Sequence, residues 1–365
     1  MEPLRDLLAD LVRIDSINPD LIAGAAGEEE IARFVAGWLD AAGLEVEVEE
    51  VAPGRFNTVG IARGSGGGKT LLLNAHMDTV GVAGMERPFE PAVENGRLHG
   101  RGSYDMKAGL AAIMLAGAEV AKAGLRGDVV VTAVCDEEVA SIGTARVAER
   151  YRADAAVVSE PTDMRLALAH KGFVGFEIET KGRAAHGSRP DLGVDAIAHM
   201  GPVLVGIEEL DRRLRADPTH PLLGSGSLHA SVIEGGQEFS SYPERCLLKG
   251  ERRTIPGESE AHVEGELRDL LGAVDGEIRV VVARQPFETP EDAPIAELVS
   301  RHAGGPEIVG VPFWADSALL SSAGIPTVVF GPAGEGAHAV EEWVDVASAE
   351  RCADIYTAVA RELCA

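Results

Sequence analysis

A histidine and an aspartate two positions apart are the first side chains in this chain whose types and spacing could do chemistry. His76 and Asp78 follow residues 71–73, a run of three leucines that indicates a buried strand. Residues two apart on an extended chain point to the same side, so the aspartate can accept the proton on the ring nitrogen that a metal does not use. The pair fits a metal ligand with its orienting carboxylate, and it fits equally a histidine satisfied at a strand end.

Two further apolar runs end in acidic residues in the same way. Residues 128–134 lead to the acids at 136–138, and residues 155–158 lead to Glu160. Adjacent acids repel one another unless a cation lies among them. Asp105 lies in a glycine-rich loop before a helical segment, where it could also be a helix N-cap. A solvated surface or a cap would explain each feature alone, but acids or histidines after three buried strands favour a metal centre.

The elements that must position these residues predict an α/β domain interrupted by a second domain. Helical periodicity near the N-terminus and the apolar strands belong to the first domain. From about residue 167 the order becomes strand–helix–strand–strand–helix–strand, which is that of a ferredoxin-like α+β module. A helix, a strand and a C-terminal helix then restore the first domain. We therefore expect a discontinuous domain of residues 1–166 and 285–365, and an inserted domain of residues 167–284.

Composition argues against several classes of protein. The 365 residues carry 33 Lys+Arg against 59 Asp+Glu, and the formal charge of −26 disfavours a nucleic-acid or anionic-membrane partner. The four cysteines form no CxxC pair, no basic–apolar leader opens the chain, and no apolar run could span a bilayer. We expect a cytoplasmic protein with reduced thiols. A serine hydrolase is disfavoured because no GxSxG motif occurs.

Five short motifs resemble those of the di-zinc M20 metallopeptidase family, whose members include acetylornithine deacetylase, succinyl-diaminopimelate desuccinylase, aminoacylase and glutamate carboxypeptidases. The resemblance covers nearly the whole chain, including the insertion. The motifs are HMDTV at 76–80, GRGSYDMK at 100–107, DEE at 136–138, SEP at 159–161, and His338 followed by Glu342. The resemblance implies a zinc-aminopeptidase-like catalytic domain, with a central mixed sheet flanked by helices, and an inserted lid and dimerisation domain.

The resemblance also implies two zinc ions bound by five side chains. One ion is held by His76 and Glu160, and the other by Glu138 and His338. Asp105 bridges both ions, which a carboxylate can do when two cations lie about 3.5–4 Å apart. Mixed histidine and carboxylate ligands suit Zn²⁺, and Co²⁺ or Mn²⁺ are alternatives.

Four residues take other roles by the same resemblance. Glu137 is the general base, and Asp78 orients His76. His186 matches a histidine that the inserted domain of one subunit lends to the oxyanion in the site of the other. Arg253 matches an arginine for a substrate carboxylate, a task that suits a planar guanidinium. On spacing alone, His186 would be a turn histidine and Arg253 a surface arginine.

The function implied by the resemblance is a metal-dependent amide hydrolase acting on an N-acyl amino acid, of the acetylornithine deacetylase or succinyl-diaminopimelate desuccinylase type. A dipeptidase or glutamate-type carboxypeptidase on the same site is the alternative. A non-catalytic binding protein would lack a ligand or the base, and none is missing from the sequence. Ser240 and His229 stand where many relatives have asparagine, which leaves the substrate open. The implied assembly is a homodimer formed through the inserted domain.

Overall fold

The computed structural model describes residues 2–365, and its contacts divide the chain into two compact units. The first unit contains the chain up to Leu168 together with Thr289–Val309 and Ala315–Ala365. The second unit contains Ala169–Glu288 and Gly310–Trp314. The first unit is therefore discontinuous in sequence, and the second lies between its parts along the chain.

The helices are, in chain order, α1 Glu2–Arg13, α2 Glu29–Ala41, α3 Ala108–Ala121, α4 Ile142–Arg150, α5 Ala196–Ala216, α6 Glu260–Leu271, α7 Pro294–Ala303, α8 Ser317–Ser322 and α9 Val346–Leu363. Side chains cap several of them: Asp195 accepts from the N–H of the third residue of α5, and Ser259 does the same for α6. From Glu2 onward, none of these helices is long and apolar enough to cross a bilayer.

The strands are β1 Glu45–Ala52, β2 Arg55–Ala62, β3 Leu71–His76, β4 Ala92–Glu94, β5 Arg97–His99, β6 Val129–Val134, β7 Ala155–Val158, β8 Leu166–His170, β9 Gly172–Lys181, β10 Ala185–His186, β11 Ser227–Gly235, β12 Ser241–Tyr242, β13 Arg245–Thr254, β14 Gly276–Arg284, β15 Phe287–Glu288, β16 Ile308–Val311, β17 Thr327–Val329, β18 Gly334–Glu335 and β19 Trp343–Asp345. Between β4 and β5, Asn95 and Gly96 both have positive φ, as a tight hairpin turn requires.

The largest sheet within the described residues has the order β1-β2-β6-β3-β7-β17-β8-β15, with β16 also paired to β8. Its centre is parallel, since β3 pairs in parallel with β6 and β7, and β7 with β17. The neighbours β2 and β8 are antiparallel to this centre, so the sheet is mixed. Every residue of β3, β6 and β7 is buried, which means that both faces are covered. The predicted mixed sheet flanked by helices is confirmed.

The second unit contains the sheet β11-β13-β9-β14, in which all neighbours are antiparallel. Residues of β9 alternate between buried and half-buried, so one face is packed more deeply than the other. Helices α5 and α6 pack against this sheet, and their apolar residues join its core. The order β9-α5-β11-β13-α6-β14 is the predicted ferredoxin-like order.

Candidate metal centre

Two groups of potential metal ligands lie at the carboxyl edge of the parallel strands, and they share one residue. The first group is His76, Asp105 and Glu160, and the second is Asp105, Glu138 and His338. Within each group the ligand atoms lie within 4.8 Å of one another. Asp105 directs Oδ1 to Nε2 of His76 and Oδ2 to Nε2 of His338, each at 3.3 Å. One carboxylate thus offers one oxygen to each group.

The first group is built on strand ends and is buried. His76 is the last residue of β3, and Glu160 follows β7 by two residues. Nε2 of His76 lies 3.7 Å from Oε1 of Glu160. Burial lowers the pKa of the His76 imidazole, but the charge of Glu160 and the hydrogen bond to Asp105 outweigh it and leave that pKa well above its usual value.

The second group is built on loops. Glu138 lies in the turn after β6, and His338 lies in the loop after β18, with a positive φ of 61°. Nε2 of His338 lies 3.1 Å from Oε2 of Glu138. Hydrogen bonds to Asp105 and Glu138 raise the pKa of the His338 imidazole to about 10.

The chemistry of these residues fits a bound metal. Oε1 of Glu138 is buried and finds no hydrogen-bond partner in the part of the chain from Glu2 to Ala365. Burial, and then the charge of Glu160, raise the pKa of the Glu137 carboxyl well above its usual value. Buried carboxylates that crowd together in this way call for cations, and a set of imidazole nitrogens and carboxylate oxygens is one that Zn²⁺ accepts.

Asp78 contacts the site through both its backbone and its side chain. Its backbone carbonyl lies 2.9 Å from Nδ1 of His76, whereas its Oδ1 lies 3.7 Å from that nitrogen. The carboxylate accepts the backbone N–H groups of Glu137 at 3.1 Å and Glu138 at 3.2 Å, and the side-chain amide of Asn18 at 2.8 Å. By distance, the backbone carbonyl of Asp78 is therefore the group that can orient the His76 ring. The Asp78 carboxylate instead accepts hydrogen bonds from the turn that contains Glu137.

The other two predicted site residues belong to the second unit. His186 ends β10 and is exposed, and its Nδ1 accepts the backbone N–H of Ser188 at 3.2 Å. Arg253, in β13, donates from Nε to Glu251 at 2.7 Å, and its guanidinium lies 5.1 Å from the Phe173 ring centroid. Their roles stay predictions.

Several buried charges lie near the predicted ligands and have no role predicted from the sequence. Glu342 and Arg101 form one ion pair, at 2.7 Å between Oε2 and Nη1. Arg55 forms another buried pair, with Glu28. The sequence signals were that Glu342 closes the motif that begins at His338 and that Arg101 lies in the motif GRGSYDMK. In the sequence, each of these residues taken alone cannot be distinguished from an ordinary surface charge.

Comparison with known proteins confirms the resemblance. The model of the family described as Peptidase family M20/M25/M40 matches residues 72–362. The chain is 29% identical to an acetylornithine deacetylase of Vibrio atlanticus, over 97% of each chain. The structure of aminopeptidase PepT from Bacillus cereus matches with a TM-score of 0.82 at 20% identity, over 99% of this chain and 98% of that one.

A dinuclear metal-binding peptidase of the M20 family from Bacillus subtilis matches with a TM-score of 0.76 at 17% identity, over 99% of this chain and 97% of the other. At identities of 20% and 17%, the matches to these two solved structures support the fold alone. The family match is broader evidence, because residues 72–362 include all five predicted ligands as well as the whole second sheet. The chain therefore belongs to peptidase family M20/M25/M40, and it is a hydrolase of amide bonds.

Proposed function

We propose that this enzyme removes the acyl group of an N-acyl amino acid, as an acetylornithine deacetylase or a succinyl-diaminopimelate desuccinylase does. The observation that carries the proposal is the pair of ligand groups that share Asp105, with Glu137 adjoining one of the ligands. The name of the Vibrio atlanticus relative supports the amino-acid part of the substrate.

The five ligand side chains would hold two zinc ions, with cobalt or manganese as alternatives. His76 and Glu160 would bind one ion, Glu138 and His338 the other, and each would take one oxygen of Asp105. When bound, the ions would lower the pKa of a water molecule and polarise the amide carbonyl.

Glu137 moves the proton in this proposal. Its carboxylate accepts a proton from the attacking water and delivers it to the amide nitrogen as the C–N bond breaks, which yields a carboxylic acid and a free amine. The backbone N–H of Glu137 is held by Oδ1 of Asp78. That hydrogen bond fixes the base in the same turn as the ligand Glu138.

His186 and Arg253 are the proposed contributions of the second unit. Nδ1 of His186 lies 2.8 Å from Oγ and 3.2 Å from the backbone nitrogen of Ser188. With Nδ1 as the acceptor of both groups, Nε2 of the neutral ring would carry the proton and donate it to the oxyanion. Arg253 already pairs through Nε with Glu251, so its Nη groups would bind a substrate carboxylate.

A homodimer through the inserted domain would allow His186 to serve the site of another subunit. Strand β11 lies at an edge of its sheet and exposes Val232 and Ile233. Helix α5 exposes Ile197 and Leu204, and a Cβ atom at Gly235, the end of β11, would lie 2.9 Å from Cγ1 of Ile197. An edge strand with a neighbouring apolar helix face suits a second copy related by a two-fold axis.

Subunit exchange tests the dimer. We expect His186→Ala and Glu137→Gln each to be nearly inactive alone, and a mixture to regain activity after exchange. One site in each hybrid then has an intact Glu137 and the other subunit's histidine. No recovery despite demonstrated exchange, or a fully active monomer in solution, would contradict the assembly.

The cytoplasm is the proposed location, with small molecules as the partners. The four cysteines are free and buried, as in proteins kept under reducing conditions. The charge of −26 disfavours nucleic acid and anionic membranes.

Turnover of a substrate panel tests the proposed function. N-acetylornithine, N-succinyl-diaminopimelate and a set of dipeptides should be compared with zinc, cobalt or manganese added, and Glu137→Gln is the matched control for contaminating activity. We expect an N-acyl amino acid to have the highest kcat/KM. Faster cleavage of dipeptides would make the chain a peptidase, and turnover equal to that of the control would overturn the proposal.

A further inference from the structure

We propose that Glu342 is a positioning residue for the second metal, acting through the loops that carry Asp105 and His338. The inference rests on the proposed metal centre. Glu342 is 1% exposed, and each of its carboxylate oxygens accepts two hydrogen bonds. None of its hydrogen bonds is made to a ligand side chain, so it acts on the ligands through their backbone.

The Glu342 carboxylate receives four hydrogen bonds from the glycine-rich loop. Oε1 accepts the backbone N–H of Tyr104 at 2.9 Å and that of Asp105 at 3.0 Å. Oε2 accepts the backbone N–H of Gly102 at 2.9 Å and Nη1 of Arg101 at 2.7 Å. Bonds to an ionised acceptor are the strong ones, and three of them fix the backbone orientation at and just before Asp105.

Arg101 extends this arrangement to the loop of His338. The Arg101 side chain is buried, and its Nη2 donates to the carbonyl of Ala339, the residue after His338, at 2.9 Å. The backbone N–H of Gly100 also donates to the carbonyl of Glu342 at 3.2 Å. The ion pair thus joins two loops that are more than two hundred residues apart in sequence. We name the group formed by Arg101, Glu342 and their backbone partners the loop clasp.

The loop clasp acts unequally on the two ligand groups. In the second group, both Asp105 and His338 lie on loops that it joins, and only Glu138 lies elsewhere. In the first group, His76 ends β3 and Glu160 follows β7, so only Asp105 depends on it. Disruption of the loop clasp should therefore lower the affinity for the second metal more than the affinity for the first.

Glu342→Gln is the sharpest change, because it keeps the shape of the side chain. Its amide oxygen can still accept, but its NH₂ group must face N–H donors, and the charge that balances Arg101 is lost. Glu341→Gln is the matched control, since Glu341 is the adjacent residue and is exposed. His338→Ala identifies the second site in a titration.

The measurement is the titration of the metal-free protein with Co²⁺, followed by absorption and by competition with a chelator. We expect Glu342→Gln to weaken the second site about 10–100-fold, as loss of a group that orients ligands does, with a much smaller change at the first site. Glu341→Gln should match the parent. Parent affinities at both sites of Glu342→Gln, or equal losses at both, would overturn the positioning role.

A second variant guards against misfolding. Arg101→Lys leaves the three backbone bonds of Glu342 in place but cannot reach both Glu342 and the Ala339 carbonyl with a planar fork. It should weaken the second site several-fold, and a single cooperative unfolding transition of the apo protein shows that the variant has folded. An unchanged second site in Arg101→Lys would overturn the clasp even if Glu342→Gln failed to fold. A parent that binds fewer than two metals would instead overturn the metal centre itself.

Discussion

The two ligand groups share Asp105, yet they are built on different parts of the fold. His76 and Glu160 come from strand ends at the centre of the sheet and are 1% and 5% exposed. In the other group, Glu138 and His338 lie on loops, and the His338 side chain is 56% exposed. The sheet therefore fixes the positions of His76 and Glu160, whereas the positions of Glu138 and His338 depend on the contacts that their loops make.

Buried charges hold those loops. The loop clasp joins the loops of Asp105 and His338, and a second network lies behind the turn of Glu138. There, Nη2 of Arg55 lies 2.9 Å from Oδ1 of Asp136, whose backbone N–H donates to Glu28 at 3.2 Å. Asp136 has a φ of 69°, which is uncommon outside glycine and needs support from its surroundings. All three residues of the loop-built group thus lie on segments that these ion pairs contact, whereas in the strand-built group only Asp105 does.

Removal of the shared carboxylate should have the largest effect. Asp105→Ala takes a ligand from both groups at once, so both metals should be lost and turnover should fall to background. Metal content per subunit, measured by mass spectrometry beside kinetics, checks this. Asp10→Ala on the exposed side of α1 should change neither quantity. Loss of one metal equivalent with the other intact would count against a bridging Asp105.

Glu137→Gln should separate proton transfer from metal binding. Glu137 adjoins the proposed ligand Glu138 but belongs to neither group, so both metals should stay. Turnover should fall about 10²–10⁴-fold, the usual contribution of a general base. Glu138→Gln is the matched control and should cost the second metal instead. If Glu137→Gln retains activity within a few-fold of the parent, Glu137 is not the base.

The difference in exposure predicts the order in which metals leave. A chelator should remove the metal of the His338 group first, because that histidine is largely exposed while His76 is buried. His338→Ala should accordingly bind one metal tightly. Metal content followed during dialysis against the chelator checks the order. Simultaneous loss of both metals, or earlier loss from the His76 group, would remove the distinction between the two halves.

Strand patterns could predict the strand-built half and also the place of Glu138 after a buried strand, whereas the role of His338 came from the family resemblance alone. A buried apolar strand is a continuous signal along the chain, and the polar residue that follows it must lie at the sheet edge, as His76 and Glu160 do. Parallel pairing then brings these ends together without any further information. The same reasoning predicted the ferredoxin-like order of the second unit, whose elements alternate regularly between strand and helix periods.

The supporting ion pairs could not be predicted from the same patterns. Arg55 and Glu28 are 27 residues apart, and Arg101 and Glu342 are 241 apart, so neither pair has a periodic signature. A buried charge is identified by its partners in space, and an isolated arginine or glutamate in a sequence has the pattern of a solvated one. The contacts of Asp78 could not be predicted fully for the same reason. Its spacing relates it to His76, but the spacing does not show that its carboxylate accepts the N–H groups of Glu137 and Glu138.

The smallest effect on the centre should come from the network behind the turn of Glu138, where a change acts mainly on stability. Arg55 donates from both Nε and Nη2 to Glu28 and has 6% of its side chain exposed. Arg33 donates in the same way to Glu29, but 67% of its side chain is exposed. The two pairs therefore differ in burial far more than in geometry.

Replacement of each arginine by lysine measures how much the burial of the pair contributes to stability. Arg55→Lys loses the planar fork and leaves buried carboxylate oxygens short of donors, so the free energy of unfolding should fall by about 1.5–3 kcal/mol, the range for hydrogen bonds to charged groups. Arg33→Lys should change it far less, because water replaces the lost bond. Chemical denaturation of both metal-free variants measures the two changes. Arg55→Lys should still bind two metals, because the backbone N–H of the proposed ligand Glu138 keeps its hydrogen bond to Asp78. Equal destabilisation by the two substitutions would mean that the buried pair does not support the turn.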